Sequence, residues 1–387
     1  MDRVAKENLL LTLVPAESLM QTLRSVDPHT ILPLASATQS ADGTPAVVAP
    51  MSIPVQPPRS PYDRRFYVVR PEEESQSLDA LDYHKPVVFF GPELCGKTWL
   101  LHTLTSEARQ RGAQVVTINL NIIDKTARSS FGSFLHTFAL RIFKELKLDI
   151  NEVNKSFSEN RGGPVATLND LMSWNVLGAI NERFVLAIDN VDLISDQPYQ
   201  DEFFGMLRAW VDSSGFEKLH LVLAISTAPS LLVQDVNRSP FNLGDVLTVP
   251  DFTVPQLQSL AKLHNLQVDD GEIARLVDLV GGHPYLTRLA FYEAYRRKMR
   301  MGVLLDRVEN EPQGGVFAPY LDHLMRKLRQ DRALLDSFRK IISQPNLAID
   351  ESLGYRLEGA GLATRNYSIK GAPYRIRYLL YTRLGQL

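Results

Sequence analysis

Four consecutive apolar residues, Val87 to Phe90, run directly into Gly91-Pro92-Glu93-Leu94-Cys95-Gly96-Lys97-Thr98, and a helical pattern carrying Leu100, Leu101 and Leu104 comes at once after them. No other stretch constrains the fold as much. The two glycines let the main chain curl until its amide N–H groups converge, and the N-terminus of the next helix adds positive potential there. Lys97 brings a mobile charge to the outer phosphates of a nucleotide, and Thr98 offers its hydroxyl to Mg²⁺. Strand, loop and helix together predict that Gly91 to Trp99 (Gly91, Pro92, Glu93, Leu94, Cys95, Gly96, Lys97, Thr98, Trp99) contact ATP or ADP. Cys95 reads as a small residue accommodated in the loop.

A second apolar run ends in acid: Phe184-Val-Leu-Ala-Ile-Asp189, followed by Asn190, Val191 and Asp192. A strand so terminated puts a carboxylate at the C-terminal sheet edge beside the phosphate loop, which makes Asp189 the candidate Mg²⁺ partner of Thr98. Many nucleotide hydrolases place a glutamate directly after that aspartate to orient the attacking water. Asn190 cannot take a proton, so slow hydrolysis or a bind-and-hold switch is expected; Asp192 either substitutes from two residues on or caps the turn. Further apolar runs at Val115 to Asn119, Leu219 to Ile225 and Val246 to Val249 alternate with helical stretches. That texture predicts an α/β fold, a parallel sheet of P-loop NTPase type covered on both faces. Ser226 and Thr227 end one strand, where a hydroxyl either senses the terminal phosphate or simply finishes the strand.

Past Pro255 the strands stop. Helical periodicity over Gln256 to Leu266, Asp270 to Val280 and Tyr285 to Met299 predicts a helical lid. From Tyr320, two helical patterns and two short strand-like pieces, Ala363 to Tyr367 and Tyr374 to Tyr378, suggest a winged-helix module. The organisation read along the chain is a short N-terminal docking element (1–25), a Pro/Ser/Ala-rich linker (26–62), an ATPase core (63–254), the lid (255–319) and a winged-helix-like domain (320–387). Phe131, Phe134, Phe138 and Ile142 form a packing stripe. Arg288, one turn into a lid helix, is a candidate second phosphate sensor.

These residues resemble the AAA-like domains of STAND proteins, the bacterial signal-transduction ATPases with numerous domains, over about residues 66 to 387. The resemblance rests on Phe66-Tyr-Val-Val69-Arg70-Pro-Glu-Glu73 ahead of the phosphate loop, with Val69 where a glycine is usual. It rests also on Leu219 to Pro229, Ser239-Pro-Phe-Asn242, Gly281-Gly-His-Pro284-Tyr-Leu and Tyr355 to Leu362, in the family's order. It implies a sensor role for Ser226, contact of Pro284 with the nucleotide base, and hinge residues Val69, Arg70 and Glu73 that organise the segment flanking the base. Related AAA+ ATPases present an arginine to a neighbour's terminal phosphate from a position like that of Arg238; a solvated surface arginine is the other reading. His283 either shares the site or only starts a helix.

Charge and composition narrow the partners. Lysine plus arginine (42) nearly balance aspartate plus glutamate (44), so no whole-molecule field draws a polyanion or a membrane. A single cysteine excludes an intramolecular disulfide framework and fits a reducing compartment, with the cytoplasm expected. No apolar run approaches the ~18 residues of a spanning helix. The expectation is a nucleotide-dependent regulatory switch ATPase whose state controls self-assembly or an effector partner reached through the N-terminal element. Two alternatives stand beside it: a non-hydrolysing ATP-binding adaptor, suggested by Asn190, and a DNA-handling ATPase. The second is suggested by Arg365, Lys370, Arg375, Arg377 and Arg383, with no acid after Glu358.

Overall fold

A computed structural model describes residues 55–159, 162–195, 197–227, 239–311, 313–344, 348–366 and 374–386. The docking element, the linker as far as residue 54, Arg238 and Lys370 lie outside the described residues. Residues 55–387 form one unit.

The first helix, α1 (Pro71–Asp82), starts on a proline and has Glu72, Glu73 and Glu74 in its first turn, all suited to a helix N-terminus. Strand β1 (Val87–Phe90) leads through the glycine loop into α2 (Lys97–Gln110), and β2 (Gln114–Asn119) comes next. Helices α3 (Phe131–Leu146), α4 (Ile150–Glu159) and α5 (Pro164–Asp170), the last continuing through a π-helical segment Leu171–Leu177, separate β2 from β3 (Phe184–Asp189). Helix α6 (Gln200–Asp212), β4 (Leu219–Ile225) and β5 (Asp245–Thr248) complete the core.

Among the described residues the sheet has the order β2-β3-β4-β1-β5, every pair parallel. β1 and β3 thus flank β4, so the phosphate loop after β1 and the acidic turn after β3 emerge on the same edge. β3 and β4 are buried along their whole length, which explains why they read as unbroken apolar runs. Phe134, Phe138 and Ile142 of α3 are fully buried, with Phe134 edge-on to Phe203 at 5.3 Å.

The lid consists of α7 (Val254–Leu263), α8 (Asp270–Val280), α9 (Pro284–Arg296) and α10 (Met301–Asn310). Capping boxes open the first two, Thr253 with Gln256 and Asp269 with Glu272. Two of the helices end earlier than apolar periodicity suggests, because the chain turns left-handed at Asn265 (φ 55°) and Lys298 (φ 50°). Helices α11 (Ala318–Leu328), α12 (Arg332–Ser343) and α13 (Glu351–Gly359) precede an antiparallel pair, β6 (Ala363–Arg365) and β7 (Tyr374–Ile376). Lid and C-terminal elements share one apolar core, which includes Leu276, Phe291, Phe317, Phe338 and Tyr381. They are separate stretches of sequence but one packed body.

Two histidines sit inside that body. His264 Nδ1 donates to the Leu260 carbonyl (2.9 Å), and burial pushes its pKa down to about 4; His283 is pushed to about 3 by burial and by Arg377. A histidine held neutral in the fold but free to ionise near 6.5 when unfolded binds fewer protons folded than unfolded. The proton-linked penalty is therefore absent well above about pH 6.5, and stability falls as pH drops toward the folded value, by about 2 kcal/mol per residue at pH 5. Urea midpoints measured at pH 7 and pH 5 should fall on acidification, and fall less in His264→Asn; equal falls would contradict the assignment.

Candidate functional site

The phosphate loop joins β1 to α2. Gly96 has φ +103°, where a side chain would be strained, and a Cβ there would come within 3.1 Å of Arg70 Nη1. Arg70 is itself buried: its Nη2 donates to the Cys95 carbonyl at 2.9 Å, and its guanidinium lies over the Phe252 ring at 4.9 Å. The hinge arginine thus holds the loop from behind. Its partner on α1 is Glu74, whose carboxylate accepts from the Arg70 main-chain N–H (2.7 Å) and the Tyr67 hydroxyl (2.8 Å); the sequence motif points to Glu73 instead. Lys97 Nζ donates to the carbonyls of Gly91 (2.7 Å) and Pro92 (2.8 Å), which keeps the ammonium at the loop's mouth.

At the end of β3, the Thr98 hydroxyl donates to Asp189 Oδ2 at 2.9 Å, joining loop and strand across β4. Asp189 is 3% exposed. Burial pushes its carboxyl above the usual range, against the opposing pull of the Thr98 hydroxyl, the Asn190 amide and the Lys97 charge. An ion of opposite charge would relieve that penalty. One carboxylate and one hydroxyl, both hard oxygen donors, suit Mg²⁺, which takes a few protein oxygens and keeps its remaining positions for phosphates and water.

Asn190 is left-handed (φ 58°), and its Nδ2 donates to Asn119 Oδ1 at 3.0 Å; Asn119 Nδ2 lies 3.5 Å from Asp189 Oδ2. Asn119, at the C-terminal end of β2, is a site residue that sequence reasoning misses. The signal is present, since a parallel strand ending in a polar residue beside β3 must meet Asp189, with which it is in register. The side chain after Asp189 therefore meets an amide. Both carboxylate oxygens of Asp192 accept main-chain N–H groups, from Ser226 (2.9 and 2.7 Å) and Thr227 (2.6 Å), and so fix the turn after β4.

Above the loop lies a cavity of about 690 Å³. Lys97, Thr98, Asp189, Asp192 and Ser226 line it, and so do Trp99, Glu93, Leu94, Pro284 and Arg288. Most of the residues singled out in the sequence therefore converge on one chamber. Cys95 is buried behind the loop, and Val69 faces outward, 55% exposed, with its carbonyl accepting from Gln256 (2.8 Å) while Val68 lines the cavity. His283 begins α9: Nδ1 accepts from the Leu286 N–H at 3.4 Å, while Nε2 is buried without a partner. A phosphate chain on the amide cradle, a base toward Phe66, Leu260 and Pro284, and a divalent cation at Asp189 are what this arrangement can hold.

C-terminal elements close directly on the loop. Glu93 pairs with Lys327 of α11, and His323 Nε2 lies 3.7 Å from the same carboxylate. Burial alone would push Glu93 up, but Lys327 and His323 outweigh it and hold the carboxyl below its usual range. Gly361 has φ +74°, and a Cβ there would come 2.5 Å from the Cβ of Pro92. Asp251, after β5, accepts from Tyr378 (2.8 Å) and Arg377 (3.0 Å).

The family model described as an AAA-like domain matches residues 56–384, and the chain belongs to that family. Its fold is similar to that of the Walker-type ATPase of Pyrococcus abyssi, with TM-score 0.62 and 17% identity, covering 86% of this chain and 99% of that one. It is also similar to the ORC2 protein of Aeropyrum pernix, solved as ADPNP-ADP complexes, with TM-score 0.52 and 14% identity, covering 86% and 94%. An uncharacterized WD repeat-containing protein of Synechocystis sp. is 26% identical over 135 residues, 32% of this chain and 11% of that protein. The chain thus spans about a tenth of that curated relative's length. The architecture is that of a P-loop AAA+ ATPase. No helix among the described residues is long and apolar enough to cross a membrane.

Removing Arg70 leaves the Cys95 carbonyl buried and unpaired. Arg70→Ala should lower stability by about 1–3 kcal/mol, measured by chemical denaturation; a loss within error would show that the loop does not depend on this support.

Proposed function

We propose that the chain is an ATP- and Mg²⁺-dependent regulatory switch of the STAND type, in which the C-terminal helices and their β-hairpin, read as a winged-helix module, sense the nucleotide through the phosphate loop. One observation carries this reading: Pro92 and Glu93, inside the loop, are the residues that Gly361, Lys327 and His323 contact. A phosphate entering the cradle must share the loop with the clamp, so nucleotide occupancy and C-terminal docking are linked equilibria. The ADPNP-ADP complexes of the similarly folded ORC2 protein support nucleotide as the ligand. Lys97 and the loop amides would hold the phosphates, Pro284 would face the base, and Thr98 with Asp189 would hold Mg²⁺, which supplies charge neutralisation at the outer phosphates.

Hydrolysis is expected to be slow. Asn190 is bonded to Asn119, and Asp192 is engaged by two main-chain amides, so neither presents a free carboxylate to a water. Ser226, held by the Asp192 turn on the cavity wall, keeps its proposed sensing role. Arg238, outside the described residues, is proposed as the group offered to a neighbouring subunit, and residues 1–25 as the link to an effector or a second copy.

DNA handling is the weaker alternative. Of the basic residues that suggested it, Arg365 pairs with Glu351 (2.8 Å), Arg377 with Asp251 (3.0 Å), and Arg383 donates to the Glu309 carbonyl (2.6 Å). The helix ahead of the hairpin, α13, contributes Glu351 and Glu358 to that side.

Calorimetric titration should show ATP binding that weakens at least about tenfold in Lys97→Ala, the loss of a charge-assisted contact to phosphate. Turnover should stay well below the ~1–10³ s⁻¹ common among enzymes. Glu93→Gln should speed nucleotide release. A chain that binds ATP equally well without the Lys97 ammonium, or whose release rate ignores Glu93, would contradict the proposal.

A further inference from the structure

The segment ahead of the hinge does more than connect. Residues 55–62 cross from the core helix α2 to the lid helix α9, and each end is tied to one of them. On the core side, Tyr62 stacks on His102 (5.4 Å), meets Trp99 edge-on (5.2 Å), and shares a hydrogen bond with the Thr103 hydroxyl (3.1 Å). On the lid side, Arg59, left-handed at φ 64°, lies over the Tyr285 ring at 5.2 Å, and Gln56 Oε1 accepts from Arg288 Nη2 at 2.6 Å. The Gln56 amide is oriented for this, because its Nε2 donates to the Pro61 carbonyl at 3.0 Å, leaving only the oxygen to face the guanidinium. A second internal bond, from the Ser60 hydroxyl to the Pro57 carbonyl (2.7 Å), tightens the same loop.

Arg288 is caged by these contacts. Its guanidinium lies over Trp99 (4.8 Å) and Phe66 (5.6 Å), and Gln56 closes the remaining side. The residue is 9% exposed, lines the same cavity as Lys97 and Asp189, and its Nε is buried with no hydrogen-bond partner. Among the described residues no carboxylate makes a salt bridge with it; Asp63 acts on it only at longer range. A buried guanidinium held by a neutral amide and two aromatic faces, with a donor to spare, is poised for a stronger acceptor in the cavity it borders.

We propose that residues 55–62 form a latch in which Gln56 positions Arg288 away from the phosphates, so that lid closure on nucleotide requires the latch to release α9. The latch rests on the switch reading of the same cavity and names the element that regulates it. Since the segment bridges core and lid, a change in their relative angle breaks either the Tyr62 contacts or the Gln56 and Arg59 contacts. The lid-side contacts are the ones that free Arg288. Gln56 and Arg59 are positioning residues, acting through Arg288 and Tyr285.

The test uses the full chain and a fluorescent ATP analogue, comparing association, release and turnover in wild type, Gln56→Ala, Arg288→Ala and the double variant. Gln56→Ala should speed nucleotide association about tenfold, the equivalent of one charge-assisted hydrogen bond, and raise turnover, with a melting temperature lowered only by the loss of that one bond. In the Arg288→Ala background the same substitution should have no further effect, since its partner is gone. Rates in Gln56→Ala equal to wild type, or a Gln56→Ala effect that persists in full without Arg288, would overturn the latch while leaving the switch standing. A wild-type chain that takes up no nucleotide overturns both.

Discussion

One hydrogen bond, from the Thr98 hydroxyl to the buried carboxylate of Asp189, sets the geometry on which the site depends. It ties the first residues of α2 to the last residue of β3, two strands away from β1 in the sheet. It can form only because β1 and β3 emerge on one edge with β4 between them. The cost is a carboxylate 3% exposed whose charge burial disfavours. A buried carboxylate beside a lysine and a hydroxyl has the chemistry to receive a cation and an anion together, which is the occupancy proposed for it.

Around that bond, the loop is held from three sides. Arg70 braces the Cys95 carbonyl from the hinge, Lys327 grips Glu93 from α11, and Gly361 admits the α13 turn against Pro92. Because lid and C-terminal elements share one core, movement at any of these contacts is carried through a packed body, not a flexible joint. The segment at 55–62 adds a fourth connection, joining core and lid at the cavity wall, which Arg59 and Arg288 both line.

Much of this is legible in the sequence, and the limits have physical causes. The phosphate loop, the strand ending in Asp189 and the lid helices each carry a local pattern, whether glycine spacing, an apolar run or helical periodicity, and the fold has them within a few residues. The features that escape depend on pairing between distant stretches. Asn119 matters because β2 lies in register with β3, and Glu74 surpasses Glu73 because of where one helical turn places each carboxylate. Asp192 could be either a base or a cap from spacing alone; the Ser226 and Thr227 amides engage it as a cap. The Pro-rich composition that reads as linker up to residue 62 hides side chains with specific partners 40 or more positions away, as Tyr62 with Thr103 shows.

The central claim is that one divalent cation is shared by Thr98, Asp189 and a nucleotide on the loop. Electron paramagnetic resonance of Mn²⁺ substituted for Mg²⁺, with ATP carrying ¹⁷O in its outer phosphates, tests it directly. The account predicts a tightly bound Mn²⁺ signal broadened by the labelled oxygens and lost in Asp189→Asn. A signal unchanged by the label, or retained in full without the Asp189 carboxylate, would contradict it.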